Sequence, residues 1–152
     1  MKVPIARVTA AAALAMSAVA ATQANGQEVN AQEAEVRAVV EGFKAALAAG
    51  DSTAALGYLH RDLMVYEEGH AESLTEYRSG HLAADMEFSA GVETTPLQQG
   101  AIVRDDMALW VSEGESSGEF RGRRIESHGV ETIVLVPTDA GWKILHIHWS
   151  SR

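Results

Sequence analysis

Histidine is scarce in this chain, with six in 152 residues, and two of the six stand one residue apart in the closing run Trp-Lys-Ile-Leu-His-Ile-His-Trp, Trp142 to Trp149. In a regular strand alternate side chains share a face. An unbroken strand here puts Trp142, Ile144, His146 and His148 on one side and Lys143, Leu145, Ile147 and Trp149 on the other. The two imidazoles then stand about 6–7 Å apart, twice the rise per residue. Such a pair has three uses. It can hold one metal ion at Zn–N distances of about 2.0–2.1 Å. It can move protons near neutral pH. It can also satisfy itself with ordinary hydrogen bonds to carboxylates or backbone.

A second pair carries complementary chemistry. The segment Ser73–Ala90 reads as a helix on which Leu74, Tyr77, His81, Ala84 and Phe88 form one stripe at 100° per residue. His81 is central, and Asp85, four residues on, lies beside it. If this face meets the strand face, His81, Asp85, His146 and His148 form a donor set suited to zinc or copper. The same geometry makes His81, Asp85 and His148 candidates for acid–base catalysis. Tyr77, Glu67, Trp142 and Ile144 are the expected pocket lining. In Tyr-Glu-Glu-Gly-His (66–70) neighbouring acids alternate faces, so only one of Glu67 and Glu68 can point inward; the segment is either a solvated strand end, or that acid hydrogen-bonds a pocket histidine or adds a ligand. His128 is a weaker pocket candidate. His60 reads as a surface residue, and Arg-Gly-Arg-Arg (121–124) as a charged hairpin.

The elements that must position these groups follow from periodicity. Val36, Val39, Val40, Phe43 and Leu47 recur at helical spacing, and Gly50 ends that helix. Asp51 is placed to cap a short helix over Ser52–Leu59. Asp62–Gly69 reads as a strand. Ser73 with Glu76 forms a capping box for the second long helix. After Gly91 four β-type runs follow, near 92–105, 107–115, 123–136 and 142–149, separated by turn-forming residues. Helices first and strands later predict an α+β domain, helices packed on one face of a mainly antiparallel sheet.

The N-terminal segment has a different composition. Lys2 and Arg7 precede an Ala-rich apolar run, followed by small polar residues, which is the order of a secretory signal peptide over residues 1–24, cut after Ala20 or Ala24. Its apolar core is too short for a good membrane span. The expectation is a periplasmic or secreted protein without stable membrane insertion. All 21 acidic residues lie beyond residue 24, and the net charge of the whole chain is −9. A surface that acidic repels phosphate backbones, which argues against nucleic acid as a partner. There is no Cys, so disulfides are excluded. No phosphate-binding loop or dinucleotide fingerprint occurs, and no organic cofactor is implied.

The order of elements, the turn Asp139-Ala-Gly-Trp142 and the ending Trp-Lys-Ile-Leu-His-Ile-His-Trp-Ser resemble the nuclear transport factor 2-like superfamily, in its SnoaL-like, polyketide-cyclase-like branch. The resemblance spans about residues 33–150. It implies a cystatin-like cone, a curved sheet wrapped around the N-terminal helices with a cavity open at one end. Members of that group include isomerases, cyclases and dehydratases, so the resemblance does not fix a reaction.

These readings converge on an exported protein that binds a small ligand or a metal ion in a His/Asp-lined cavity. A pocket acid–base enzyme of isomerase, dehydratase or hydrolase type is the competing class, and an accessory dimer without activity is the third. Leu145, Ile147 and Trp149 would leave an apolar outer sheet face, which predicts a homodimer.

Overall fold

The computed structural model describes residues 10–152, with side chains from Glu28 onward. The chain divides into two compact units, Met1–Gln32 and Glu33–Arg152. Residues 1–9, part of the segment 1–24 expected to be a signal peptide, lie outside the described residues. No helix among the described residues is long and apolar enough to cross a membrane. The second unit holds the whole sheet and the helical segments packed on it.

Its helices form where the periodicity places them. α1 (Ala10–Ala48) buries Val36, Val40, Phe43, Ala46 and Leu47. It closes on a Schellman turn: the Gly50 amide donates to Leu47 and the Asp51 amide to Ala46, with Gly50 at φ +68°. α2 (Ser52–Tyr58) starts on Asp51, whose carboxylate accepts from the Ala54 amide at 2.9 Å. The second long helix expected from the sequence is two helices. α3 (Leu74–Ser79) has the expected Ser73–Glu76 capping box, and Gly80 ends it; α4 (His81–Gly91) then begins at His81 itself. Gly80 lies at φ −133°, ψ −74°, which is not helical. The break re-aims His81 relative to Tyr77.

Six strands form one curved, unclosed sheet in the order β2-β1-β6-β5-β4-β3. They are β1 (Leu59–Glu67), β2 (His70–Ser73), β3 (Val92–Arg104), β4 (Met107–Phe120), β5 (Arg123–Thr138) and β6 (Gly141–Ser151). Only β1 and β6 run parallel; the other pairs are antiparallel. β1 and β2 join through a two-residue turn with positive φ at both Glu68 (47°) and Gly69 (82°), the twist-matched geometry of a tight hairpin. The helices pack on the face that carries Leu63, Val65, Ala108, Trp110, Ile133, Leu135, Ile144 and Ile147, all fully buried.

The alternation along β6 is broken. Leu135 pairs with Ile144 but Val134 pairs with His146, so Leu145 is an extra residue, a β-bulge. One inserted residue exchanges the faces of everything beyond it. Trp142 and Ile144 lie in the core, as do Ile147 and, at its margin, Trp149. His146 and His148 are therefore on the outer face, paired across to Met64 and Tyr66, which are 47% and 42% exposed. Two expectations are corrected by this single residue. The imidazole pair does not face the helices, and Ile147 with Trp149 does not form the outer apolar face. The register makes Ile147→Ala a core truncation, expected to cost about 2–5 kcal/mol in denaturant unfolding. A loss under about 0.5 kcal/mol, the usual size for a surface change, would restore the unbroken alternation.

Candidate functional site

The β1–β2 hairpin and the start of α4 bring four ionisable groups together. Glu67 ends β1 on the inner face. The tight turn pairs Val65 with Glu72, so Glu72 shares that face. His81, on the first turn of α4, reaches both and also touches Asp85 one helical turn on. His81 Nδ1 lies 3.0 Å from Glu72 Oε2, and its Nε2 lies 3.1 Å from Glu67 Oε2 and 3.3 Å from Asp85 Oδ1. The fully buried Tyr77 of α3 donates its hydroxyl to Asp85 Oδ2 at 2.7 Å. The imidazole is thus held on both nitrogens by carboxylates, and one of those carboxylates is held in turn by a phenol.

The electrostatics of this cluster are unbalanced. Three carboxylates meet one imidazole, so even a charged His81 leaves an excess of negative charge. Carboxylates only accept when ionised. A neutral His81 that donates from Nδ1 to Glu72 would point its Nε2 lone pair at two ionised acids. A proton must therefore sit on Nε2 or on Glu67 or Asp85. The shifts agree. Burial raises Asp85 above its ordinary range, against the Tyr77 hydrogen bond and His81, which pull it down. Burial also raises Glu67, reinforced by the charge on Asp85. For His81 burial opposes the charged form, yet Asp85, Glu72 and Glu67 together outweigh it and hold its pKa above the usual 6.5. Tyr77 is pushed far up by burial and by Asp85, so it stays protonated and serves as a donor.

The inner-face row continues beyond Glu67 to Trp149, Glu131 and Ser112. Glu131, with its side chain 10% exposed, accepts from Lys44 Nζ at 2.7 Å, from Ser112 Oγ at 3.0 Å and from Trp149 Nε1 at 2.8 Å. This fully satisfied carboxylate ties α1 to the sheet and fixes the indole that stands beside Glu67 in the ladder.

Of the residues singled out in the sequence, His81, Asp85, Tyr77 and Glu67 meet in one place. Trp142 and Ile144 are core residues. His146 donates from Nδ1 to the Met64 carbonyl oxygen at 3.0 Å on the outer face, and His148 is exposed beside it. The proposed four-ligand set of His81, Asp85, His146 and His148 therefore does not form. His128 pairs with Glu113 at 2.7 Å and His60 accepts from the Asp62 amide, both away from the cluster. Glu72 and Glu131 were not anticipated. The signal for Glu72 was the Glu-Gly turn, which fixes the register that brings it back to the inner face. Glu131 lies two residues before the buried Ile133 on one strand face, a period that marks it as inward.

Comparisons with known proteins agree with this architecture. A SnoaL-like domain model matches residues 36–152. The chain belongs to the SnoaL-like family, within the nuclear transport factor 2-like superfamily. Among solved structures, this SnoaL-like chain is 38% identical to a candidate ketosteroid isomerase from Shewanella frigidimarina NCIMB 400, with a TM-score of 0.70 over 74% of this chain and 91% of that one. A candidate dehydratase of the NTF2-like family from Streptomyces avermitilis is 17% identical, with a TM-score of 0.66 over 84% and 98%. The CaMKII hub of S. rosetta is 19% identical, with a TM-score of 0.64 over 79% and 96%. The last two likenesses carry the fold alone. No curated protein matches the chain.

The cluster has a measurable pH signature. A histidine whose pKa is raised on folding contributes stability that is present below its unfolded value and lost as pH rises through the folded value. His81 should titrate above 6.5 by NMR, and part of the folding stability should fall away through the same pH range. In Asp85→Asn the His81 midpoint should drop, because burial then meets less opposition. A midpoint at or above the wild-type value in that variant would contradict the assignment.

Proposed function

We propose that this SnoaL-like protein is an acid–base catalyst that moves a proton on a small carbonyl compound, in reactions of the isomerase or dehydratase type. The observation that carries the reading is the position of His81 Nε2, 3.1 Å from Glu67 and 3.3 Å from Asp85, where one proton can be shared among the three groups. Glu67 is the most exposed of the three groups, at 33% of its side chain against 28% for His81 and 17% for Asp85. It is the group placed to exchange a proton with a ligand. A raised carboxylate pKa brings a base closer to the working pH and makes it more effective. In the proposed cycle Glu67 takes a proton from carbon beside a carbonyl and passes it to the His81–Asp85 pair. The C–H electron pair stays on the substrate as an enolate, and a proton from the same relay is then delivered to another carbon, which returns Glu67 to its ionised form and leaves no net charge. Glu72 holds the imidazole from Nδ1, and Tyr77 holds Asp85; both are positioning residues. The 38% identity to a candidate ketosteroid isomerase supports the reaction class.

A second reading rests on the same excess of negative charge. Glu67, His81 and Asp85 offer three ligand atoms within 4.8 Å of one another, so a divalent ion such as zinc or copper could take the place of the shared proton. One assay separates the two. The purified protein is given a small β,γ-unsaturated ketone in deuterated water, and deuterium uptake and conjugation are followed before and after chelation. Acid–base catalysis predicts turnover that survives chelation and falls about 10²–10⁴-fold in Glu67→Gln. Turnover lost on chelation and restored by zinc favours the metal, and a Glu67→Gln variant as active as wild type removes Glu67 from the reaction.

We place this activity outside the cytoplasm, in the periplasm or the medium, and in a homodimer. Export is supported by the charged start, apolar run and small-residue cut sites of residues 1–24. Mass spectrometry of the exported form should find an N-terminus between Ala21 and Gln27. Retention of Met1 in that form would count against it.

A further inference from the structure

The proton transfer proposed above leaves one charge without a partner. Taking a proton from the carbon beside a carbonyl moves the C–H electron pair onto the carbonyl oxygen, and that oxygen needs a hydrogen-bond donor. The donors around Glu67 are already engaged. Tyr77 donates to Asp85, and both nitrogens of His81 meet carboxylates. Beyond Glu67, Trp149 Nε1, Ser112 Oγ and Lys44 Nζ all converge on Glu131. The Ser73 hydroxyl donates to Glu76. β2 is an edge strand, but its free backbone amides lie in the plane of the sheet and not over its face.

The β1–β2 hairpin carries one donor that nothing uses. Its two-residue turn pairs Glu67 directly with His70. Directly paired residues share a face, with Cβ atoms about 4.5–5.5 Å apart. His70 therefore stands on the inner face beside Glu67, as Glu72 does beside Val65. It is exposed, at the open edge of the sheet. Among the described residues its side chain has no hydrogen bond or ion pair, whereas His60, His81, His128 and His146 each have one. An imidazole carries at least one ring N–H whether neutral or charged. On the other flank of Glu67 the ladder places Trp149, whose only donor is turned to Glu131.

We propose that His70 is a further catalytic residue, whose ring N–H holds the substrate's carbonyl oxygen while Glu67 removes the neighbouring proton and Trp149 bounds the apolar end. This rests on the acid–base reading above and narrows its substrate. Carbonyl oxygen, reacting carbon and carbon–carbon double bond must lie in line across β2, β1 and β6. Three strands at about 4.8 Å spacing give that line about 10 Å, the scale of a small β,γ-unsaturated ketone with its contacts at either end. The step balances. The C–H bond breaks, its proton goes to Glu67 and its electron pair becomes the enolate, with the negative oxygen against the His70 N–H. Reprotonation at the γ-carbon from the Glu67–His81–Asp85 relay re-forms the carbonyl and moves the double bond. His70 donates a hydrogen bond throughout and transfers no proton.

Two measurements on the full chain test this, one with turnover and one without. With cyclohex-3-enone, His70→Ala should lose about 10²–10³-fold in kcat, the usual cost of one oxyanion donor, with KM changed far less. His70→Gln, whose amide can donate, should recover part of the loss. Both variants should keep the wild-type far-ultraviolet spectrum, because the position is exposed. The second probe is saturated cyclohexanone, which cannot isomerise. The infrared carbonyl band of the bound ketone should lie lower in the wild type than in His70→Ala. A His70-dependent band in a protein that does not isomerise the enone would support the carbonyl contact and remove the isomerase reading. Turnover that needs Glu67 but is unchanged in His70→Ala, with the band unmoved, would overturn the role of His70 and leave that reading in place. A wild type that neither turns over the enone nor shows a bound-ketone band would overturn both.

Discussion

Three carboxylates share one imidazole, and the positions of β1, β2, α3 and α4 all bear on that arrangement. An ionised carboxylate in a half-buried setting needs a donor or a positive charge. His81 supplies both to Glu67, Glu72 and Asp85 in turn, and Tyr77 supplies the remaining donor to Asp85. One imidazole cannot neutralise three acids, so the cluster carries an excess of negative charge, which protonating one carboxyl reduces. The proposed proton transfer rests on this unmatched charge.

Each local device of the chain serves this geometry. The Glu68–Gly69 turn sets the hairpin register that puts Glu67 and Glu72 on one face. The non-helical Gly80 separates α3 from α4, so Tyr77 can be fully buried while His81 starts a new helix and faces the hairpin. Asp85 follows at the helical spacing that brings it beside His81. On the far side of Trp149 a second carboxylate, Glu131, is fully matched by Lys44, Ser112 and the indole. The contrast separates the two clusters: Glu131 holds α1 on the sheet, whereas the His81 cluster remains short of protons.

Much of this was legible in the residues. The pairing of His81 with Asp85 follows from helical spacing, and the later strands follow from alternation and turn residues. The inward position of Glu67 follows from the period of β1. What escaped were features that one residue decides. The bulge at Leu145 has no signature in composition, since Leu fits either face of a strand, and it reverses His146, Ile147, His148 and Trp149 together. The helix break at Gly80 looks like a tolerated glycine in a continuous apolar stripe. Glu72 becomes visible only once the hairpin register is known, because pairing across a turn is not a property of any single window of sequence. The chain's closing histidines, chemically the most suggestive residues in it, thereby belong to the surface.

The shared proton is the central claim, and carbon-13 NMR of the carboxyl groups reads it directly. With the side-chain carboxyls of Glu67, Glu72 and Asp85 assigned and followed from pH 2 to pH 9, Glu67 and Asp85 should titrate above the ordinary carboxylate values of 4.5 and 3.8. Their curves should also show a second inflection where His81 loses its proton, as coupled groups do. Single, independent titrations of Glu67 and Asp85 at or below those ordinary values would mean that the three acids are simply ionised around a permanently charged histidine, and the proton-sharing site would not exist.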